Sequence, residues 1–263
     1  MNKLIKLKNI LKEMDSALIA FSGGADSAFL LKIAKEQLGK NAVAVTASSP
    51  FHPEWETNNA IKFAKNLGVR HILIEGNELK VAEIRKNPLN RCYYCKKKRF
   101  IRLLKLAKKM KIKHVCDGTN TDDFNDYRPG MKACEELHIR HPLVEAGFSK
   151  REIRSCSKKL GLLTWNKPTN SCLATRIPFK QKIESELLQM IEEAEIILGS
   201  LIKGQYRVRI HGKSARIETE KRYFTKVVKN KDSICRRFRE LGFVSVSLDL
   251  DGYRTGSMNP RKL

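Results

Sequence analysis

Short apolar runs and segments with apolar residues at helical spacing follow one another along the first two thirds of the chain. The predicted strands are SALIAF (16–21), NAVAVTA (41–47), VRHILIE (69–75) and KHVCDG (113–118). The predicted helices cover residues 27–38, 54–67 and 96–110, after an amphipathic first helix within residues 1–15. Strands that alternate with helices form a parallel sheet with right-handed crossovers. We therefore predict an α/β fold with a doubly wound parallel sheet.

The pattern changes near residue 180, after a loop rich in Pro, Thr, Asn and Ser. A helix (183–198), two strands (YRVRIHG and SARIE), a helical region and a last strand (FVSVSLDLDG) follow in that order. Mixed elements of this kind indicate a small α+β unit. We predict two domains, residues 1–180 and residues 181–263.

The chain has 263 residues and a formal net charge of +24. A field of this sign favours nucleic acids, nucleotides or other phosphorylated partners, without choosing among them. No apolar run approaches the roughly 18–20 residues of a membrane helix, and the N-terminal segment lacks the apolar core of a signal peptide. We expect a cytoplasmic protein without a membrane partner.

The predicted helix 96–110 carries many lysines and arginines, which by themselves invite a nucleic-acid interpretation. Its apolar residues nevertheless recur at helical spacing, so one face is expected to pack on the sheet. These residues are Phe100, Leu103, Leu104, Ala107 and Met110. We interpret the charges of this helix as its solvated face.

Seven cysteines are an odd number for a chain without a secretory signal, so we predict no disulfide framework. Those in apolar or helix-like segments are expected to be buried or half-buried thiols: Cys116, Cys134, Cys156 and Cys235. Three do not fit that description. Cys92 and Cys95 form a CxxC pair in a predicted loop, and Cys172 lies in the polar loop before residue 180.

The stretch AFSGGADS (20–27) places two glycines between a predicted strand and a predicted helix. Gly23 and Gly24 allow backbone N–H groups to approach a ligand, and a helix N-terminus favours phosphate oxygens. Ser22 and Ser27 can add hydroxyl donors, whereas the Asp26 carboxylate repels phosphate unless Mg²⁺ lies between them. The alternative is an ordinary turn with Asp26 as the helix N-cap.

The hexapeptide 22–27 matches the SGGxDS motif of the PP-loop, or N-type, ATP pyrophosphatases, which cleave ATP between the α and β phosphates and adenylate an acceptor oxygen. Further segments resemble the LarE family of sulfur transferases over nearly the whole chain. They cover residues 90–96, 117–123, 126–130, 140–154, 165–179, 206–218 and 248–259. Members of that family adenylate a carboxylate of a pyridinium biscarboxylate mononucleotide, and a sulfur nucleophile then displaces AMP to give a thiocarboxylate.

The resemblance implies ATP and Mg²⁺ as cofactors, Asp26 and Cys172 as catalytic residues, and a homo-oligomer. Some family members give up the sulfur of the cysteine that corresponds to Cys172. Others add a CxxC, and the three thiols then resemble a [4Fe-4S] site that accepts sulfide from a donor system. Cys92, Cys95 and Cys172 match the second type. A zinc site and a redox-active pair without metal stay open as alternatives.

Three arginines are candidate substrate ligands. Arg207 and Arg209 alternate on a predicted strand with His211 on the same face, where two guanidinium groups can clamp a phosphate. A solvated strand face is the alternative. Arg176 lies four residues after Cys172, where its charge would lower the pKa of the thiol.

Acidic residues near the end of the predicted strand 113–118 are a second candidate group. Asp117, Gly118 and Thr119 lie at the end of that strand, at the carboxyl edge of the sheet, where α/β proteins bind ligands. Asp122, Asp123 and Asp126 are predicted either to orient substrate or Mg²⁺ or to cap the next helix.

The main alternative function is a tRNA thiolation enzyme of the same superfamily, which would use the positive charge directly; nucleic acid is possible but not favoured, because no separate RNA-binding module is visible. A non-catalytic nucleotide-binding or metal-binding regulator is another alternative. An amide-forming ligase would leave Cys172 and the CxxC pair without a role.

Overall fold

The computed structural model describes residues 2–125, 129–168, 170–254 and 256–258. The helices are α1 (Lys3–Glu13), α2 (Ala25–Leu38), α3 (Glu54–Asn66), α4 (Ala82–Arg85), α5 (Arg91–Lys109), α6 (Gly130–Glu136), α7 (Pro142–Glu145), α8 (Lys150–Lys159), α9 (Ser185–Leu201), α10 (Phe224–Lys229) and α11 (Lys231–Glu240). The strands are β1 (Ala17–Ala20), β2 (Ala42–Ser48), β3 (Arg70–Glu75), β4 (His114–Cys116), β5 (Tyr206–His211), β6 (Ser214–Thr219) and β7 (Ser245–Leu248).

The chain divides into two compact units. The first contains Met1–Asn77 and Asn90–Asn170, and the second contains Glu78–Leu89 and Ser171–Leu263. The first unit holds a four-stranded sheet in the order β3-β2-β1-β4, with every neighbouring pair parallel. This arrangement confirms the predicted α/β class.

Helices cover both faces of the parallel sheet because alternate strand residues point to opposite sides. Ala17 and Ile19 of β1 belong to a buried cluster with apolar residues of α1, α2, α3 and α8. Leu18 of β1 belongs to a second cluster with Phe100 and Leu103 of α5. The sheet is therefore doubly wound, and the apolar face predicted for the helix 96–110 is confirmed.

The second unit contains a mixed three-stranded sheet, in which β5 pairs antiparallel with β6 and β6 pairs parallel with β7. The short segment 78–89 belongs to this unit through backbone and side-chain bonds. The amide of Asn87 donates to the carbonyl oxygens of Ile177 (3.3 Å) and Pro178 (2.8 Å), and the N–H of Ile183 donates to Arg85 (2.8 Å). Residues 171–180 also belong to this unit. The domain boundary that we predicted from the sequence, near residue 180, would place them in the first domain.

We predicted the Cys92–Cys95 pair in a loop. The structure places it in the first turns of α5. No glycine or proline occurs in residues 90–99, so the chain after Pro88 is free to become helical. Among the described residues, no helix is long and apolar enough to cross a membrane.

Candidate active site

The SGGADS loop connects the end of β1 to the start of α2. Gly23 has a positive φ of 69°, and a Cβ there would lie 3.1 Å from the Cβ of Ala60. Gly24 is the N-cap of α2 and makes no side-chain capping bond. The interpretation of Asp26 as the N-cap is therefore wrong, and the N–H groups of the first turn of α2 have no capping side chain at this position.

The two serines of the loop bond to one another and to its backbone. The hydroxyl oxygens of Ser22 and Ser27 are 3.1 Å apart, the Gly24 N–H donates to Ser22 (3.4 Å), and the Ser27 hydroxyl donates to the Gly24 carbonyl (3.2 Å). These bonds fix the loop and keep both hydroxyls beside the backbone donors of the helix N-terminus.

A cleft of about 470 Å³ opens beside this loop, at the carboxyl ends of β1 and β4. Its lining includes most of the predicted loop residues and a ring of charged side chains. The charged residues are Asp26, Lys96, Arg99, Asp117, Asp122, Asp123 and Lys150. Gly118 also lines it, and a Cβ there would lie 2.8 Å from the backbone nitrogen of Ser27. Only glycine allows the chain after β4 to approach the loop so closely.

Asp26 is a carboxylate of the cleft with hydrogen-bonding capacity left over. Its Oδ2 pairs with the ammonium group of Lys150, and its buried Oδ1 has no hydrogen-bond partner among the described residues. Burial raises the pKa of Asp26, and the charge of Lys150 partly opposes that shift. A buried, unpartnered carboxylate oxygen beside a phosphate loop is suited to a cation.

Asp117, in contrast, is fully engaged. Nδ1 of His141 (2.7 Å) and the N–H of Thr119 (3.0 Å) donate to its Oδ1, and the ammonium of Lys96 donates to its Oδ2 (3.2 Å). Burial acts to raise the pKa of Asp117, but the His141 hydrogen bond and the Lys96 charge outweigh it and lower the pKa. Asp117 therefore stays ionised and holds Lys96 in the cleft.

The other predicted acidic residues serve the backbone. Asp122 accepts the N–H of Lys150 (2.9 Å), and Asp123 accepts the N–H of Asn120 (3.0 Å). Asp122 thus contributes to capping α8 and not α6, which is the next helix along the chain. A role in orienting substrate or Mg²⁺ stays a prediction. Asp126, with its neighbours 127 and 128, lies outside the described residues.

Lys150, Lys96 and His141 are site residues that our sequence reasoning missed. A local signal for Lys150 was present: Ser149 and Glu152 form a capping box, which fixes the first turn of α8 and the lysine in it. The pairing of Lys150 with Asp26 joins residues 124 positions apart, so no local pattern predicts it.

Cys172 lies in the second unit, half-buried, at the start of the 3-10 turn Leu173–Arg176. Arg176 is 2% exposed and forms a two-point pair with Glu195 (2.9 Å for both contacts). Its Nη1 donates to the carbonyl oxygens of Ser171 (2.7 Å) and Cys172 (3.1 Å). The guanidinium group therefore fixes the Cys172 loop through its backbone. A substrate contact for Arg176 stays a prediction.

Arg207 and Arg209 of β5 are each 4% exposed, so the solvated-face interpretation is wrong, although His211 is exposed. Arg209 donates to Glu218 (3.0 Å) and to the Thr175 carbonyl (2.9 Å). Arg207 lies over the ring of Tyr253, 5.1 Å from its centre. Burial lowers the pKa of Arg207, and the neighbouring charge of Arg176 lowers it further. An anion would stabilise such a guanidinium group.

None of the seven cysteines takes part in a disulfide bond. Cys92 is exposed and Cys95 half-buried, and their i, i+3 spacing places them on one face of α5. The guanidinium group of Arg99 lies 3.7 Å from the Cys95 sulfur. Within the described ranges, no three His, Cys, Asp or Glu side chains form a group that could hold a metal ion.

Comparison with known proteins agrees with this geometry. The NAD synthase family model matches residues 3–115, which include the SGGADS loop. A GMP synthase of Aeropyrum pernix is 27% identical over 73% of this chain and 41% of its own length. A parallel sheet with this loop at its carboxyl edge thus defines a protein of the PP-loop superfamily.

Other relatives match almost end to end. An uncharacterized protein of Synechocystis is 41% identical over 98% of this chain and 97% of that protein. The pyridinium-3,5-bisthiocarboxylic acid mononucleotide synthase of Lactiplantibacillus plantarum is 36% identical over 95% of this chain and 91% of the synthase. The chain belongs to the LarE family of PP-loop proteins.

Proposed function

We propose that this protein is an ATP-dependent sulfur transferase that converts a carboxylate of a pyridinium-3,5-biscarboxylic acid mononucleotide into a thiocarboxylate. The observation that carries the proposal is the match over 95% of the chain to a synthase of the bisthiocarboxylic product. The cleft at the SGGADS loop supplies the activation chemistry, and the Cys172 loop supplies the thiol.

The first step activates the substrate. A carboxylate oxygen attacks the α-phosphorus of ATP, the bond to the β-phosphate oxygen breaks, and pyrophosphate leaves. The backbone N–H groups of the Gly23–Gly24 turn and the N-terminus of α2 hold the leaving pyrophosphate. Lys150 and Lys96 line the same cleft and would stabilise the added negative charge.

Mg²⁺ fits the cleft as the partner of ATP. The unpartnered Oδ1 of Asp26 is a suitable ligand, and Mg²⁺ commonly uses one or two carboxylates together with phosphate oxygens. When bound, the ion would neutralise phosphate charge. Asp26 would hold it, and Lys150 would keep the carboxylate oriented through its ion pair.

The second step replaces AMP with sulfur. A sulfur nucleophile attacks the acyl carbon of the adenylate, and the bond to the AMP oxygen breaks. If Cys172 is the direct nucleophile, a thioester forms. Removal of the Cys172 α-proton then breaks its Cβ–Sγ bond, which leaves dehydroalanine in the chain and sulfur in the product. Arg207 is the proposed ligand of the substrate phosphate; Arg209, predicted as the second ligand, is engaged by Glu218 and the Thr175 carbonyl and would act by holding the strand in place.

The cysteine set supports catalytic turnover by a second route. Cys92 is exposed and Cys95 and Cys172 are half-buried, and three thiols are the number that would ligate a [4Fe-4S] cluster with one open iron. When bound, the cluster would supply sulfide from a donor system at its fourth iron. The Arg99 guanidinium beside Cys95 favours the thiolate that ligation requires.

The test combines activity with metal analysis. Protein purified without oxygen is incubated with ATP, Mg²⁺, sulfide and the biscarboxylic mononucleotide, and mass spectrometry follows exchange of oxygen for sulfur. Iron and sulfide are measured in wild type and in Cys92→Ala, Cys95→Ala and Cys172→Ala variants. Iron-free protein that loses activity only in the Cys172 variant, and loses one sulfur from Cys172 on turnover, would replace the cluster route by the sacrificial one.

The same assay decides the tRNA alternative. Thiolation of transfer RNA without thiolation of the small nucleotide, together with RNA binding that weakens steeply as salt rises, would overturn the proposal. Size-exclusion chromatography with light scattering tests the expected homo-oligomer in the same preparation.

A further inference from the structure

The segment 165–170 precedes the Cys172 loop, and one lysine bonds this segment to the phosphate loop. The ammonium group of Lys167 donates to the carbonyl oxygen of Gly23 at 2.9 Å. It also lies 5.5 Å from the centre of the Trp55 ring. The chain that leads to the cysteine is therefore attached to the loop that would hold the phosphates.

Two further bonds fix this segment within the first unit. Arg154 donates to the carbonyl oxygen of Lys167 (3.2 Å), and the side-chain amide of Asn170 donates to Oε1 of Glu56 (2.7 Å). Pro168 follows Lys167 directly, and its ring restricts both residues. Pro168 therefore limits how far Lys167 can move without its C-terminal neighbour.

The contact between Lys167 and Gly23 is suited to exchange. A backbone carbonyl is a neutral acceptor, and hydrogen bonds from an ammonium group to a charged phosphate oxygen are about twice as strong as neutral ones. Burial lowers the pKa of Lys167, with the Glu56 charge opposing the shift. An anion beside Gly23 would relieve that cost, so phosphate in the loop gives Lys167 a better partner than the one it has.

We propose that Lys167 couples occupancy of the phosphate loop to the conformation of the segment that carries Cys172. Lys167 is a positioning residue in this scheme: it exchanges the Gly23 carbonyl for a phosphate oxygen, and the exposure of the Cys172 thiol, five residues further along the chain, changes with it. The thiol is then presented after the nucleotide has bound. The inference rests on the proposed function for its purpose, but its physical content is a coupling between nucleotide and thiol.

The experiment measures how a nucleotide changes the reactivity of Cys172. The rate of alkylation by iodoacetamide is followed by peptide mass spectrometry, with and without Mg²⁺ and α,β-methylene-ATP, which cannot be cleaved at the α–β bond. Half-buried Cys235 on α11 serves as the internal reference. Couplings between sites commonly amount to about 5-fold or more, so the Cys172 rate in wild type should change by at least that factor while Cys235 does not.

Matched variants identify the lysine. In Lys167→Met, the ratio of the Cys172 alkylation rates with and without the analogue should be close to 1. Lys167→Arg should retain part of the wild-type change. Lys158→Met is the control, because Lys158 covers the ring of Trp165 (4.9 Å) within the same region and makes no described contact with the phosphate loop. It should keep the wild-type ratio. Binding of the analogue is measured by calorimetry, and alkylation is run well above each dissociation constant.

If Lys167→Met abolishes analogue binding altogether, the Asn170→Ala variant tests the coupling instead. It leaves Lys167 in place and removes the bond from Asn170 to Glu56, which lies between Lys167 and Cys172 in the chain, so the ratio should fall. Three results would overturn the coupling. They are an unchanged ratio in Asn170→Ala in that case, a ratio in Lys167→Met equal to that of wild type, and a ratio of 1 in wild type. A wild-type ratio of 1 in an enzyme that thiolates its substrate leaves the proposed function standing, whereas a large ratio without thiolation overturns the function alone.

Discussion

The phosphate-loop cleft of the first unit and the arginine cluster of the second unit use buried charge in opposite ways. In the cleft, Asp26 keeps one buried oxygen without a hydrogen-bond partner among the described residues. In the cluster, Arg176 and Arg209 are satisfied by Glu195, Glu218 and nearby carbonyl oxygens. The first arrangement is prepared for a ligand, and the second holds a loop in one conformation.

The difference assigns separate tasks to the two regions. A buried carboxylate oxygen without a partner lowers the stability of the free protein, and a bound cation would restore that stability. A satisfied buried pair contributes a fixed geometry around Cys172 but leaves little capacity for ligands. We therefore expect activation of the substrate to depend on the cleft, and delivery of sulfur to depend on the loop that the cluster fixes.

The largest expected effect separates these two tasks. Cys172→Ser should lower thiolation by at least about 1,000-fold, as loss of a nucleophile commonly does. Exchange of labelled pyrophosphate into ATP, measured with the substrate present, should change by less than about 3-fold, because activation does not use the thiol. Cys235→Ser is the control for a half-buried cysteine. A Cys172→Ser enzyme that keeps a tenth of its thiolation would contradict the division.

The next effect concerns the stability of the cluster. Glu218 is fully buried, so Glu218→Ala leaves Arg209 without its carboxylate and should destabilise the protein by about 3–5 kcal/mol. Urea unfolding measures this change. Lys113→Ala removes the partner of Asp15 in a surface pair whose side chains are mostly exposed, and it should leave the unfolding midpoint unchanged. Equal effects of the two substitutions on the free energy of unfolding would argue against the view that the buried pair fixes the loop around Cys172.

Asp26→Asn should act in opposite directions on activity and on stability. Pyrophosphate exchange should fall by about 100-fold or more, since the ligand proposed for Mg²⁺ is lost. Burial raises the pKa of Asp26 in the folded protein above its unfolded value, so the folded state holds the proton more tightly. Stability then falls as pH rises from the ordinary value of 3.8 through the raised one, and the ionised group is a cost at neutral pH.

The stability part of this prediction is tested by thermal unfolding without nucleotide. Asp26→Asn should melt a few degrees higher than wild type at pH 7, and the difference should disappear at acidic pH, where both side chains are neutral. A variant that is inactive and also less stable at pH 7 would show that Asp26 is a structural residue.

The smallest effect is a shift in a pH profile. The charge of Lys150 lowers the pKa of Asp26, so Lys150→Met should raise that pKa further. The acid limb of pyrophosphate exchange should therefore move to higher pH, with a larger loss of rate at pH 6 than at pH 8. An unchanged limb would show that ionisation of Asp26 does not govern the exchange.

Much of the fold was predictable because it depends on local patterns. Apolar spacing predicts the strands of the parallel sheet and the apolar face of α5. Two consecutive glycines after a predicted strand predict the turn of the SGGADS loop. The segment 78–89 was not predictable in the same way. Its membership of the second unit depends on Asn87 bonding to carbonyl groups some 90 residues away, and no local pattern records such a contact.

The site was predictable in its residue types more than in its contacts. Arg176 and Arg209 were identified, but a sequence does not show whether a guanidinium group meets a glutamate or a ligand; here Glu195 and Glu218 take them. Lys150 and Lys167 were missed because each reaches the phosphate loop from a distant part of the chain. Their roles become visible only when the fold brings them to Asp26 and Gly23.

The central claim is that ATP activates a carboxylate in the cleft by adenylation. Its most direct test uses the biscarboxylic mononucleotide labelled with oxygen-18 in its carboxylates, in a single turnover with ATP and sulfide. Displacement by sulfur leaves one carboxylate oxygen on the phosphate, so the AMP formed should carry one oxygen-18 atom. Thiocarboxylate accompanied by unlabelled AMP, or by ADP and phosphate, would contradict the account.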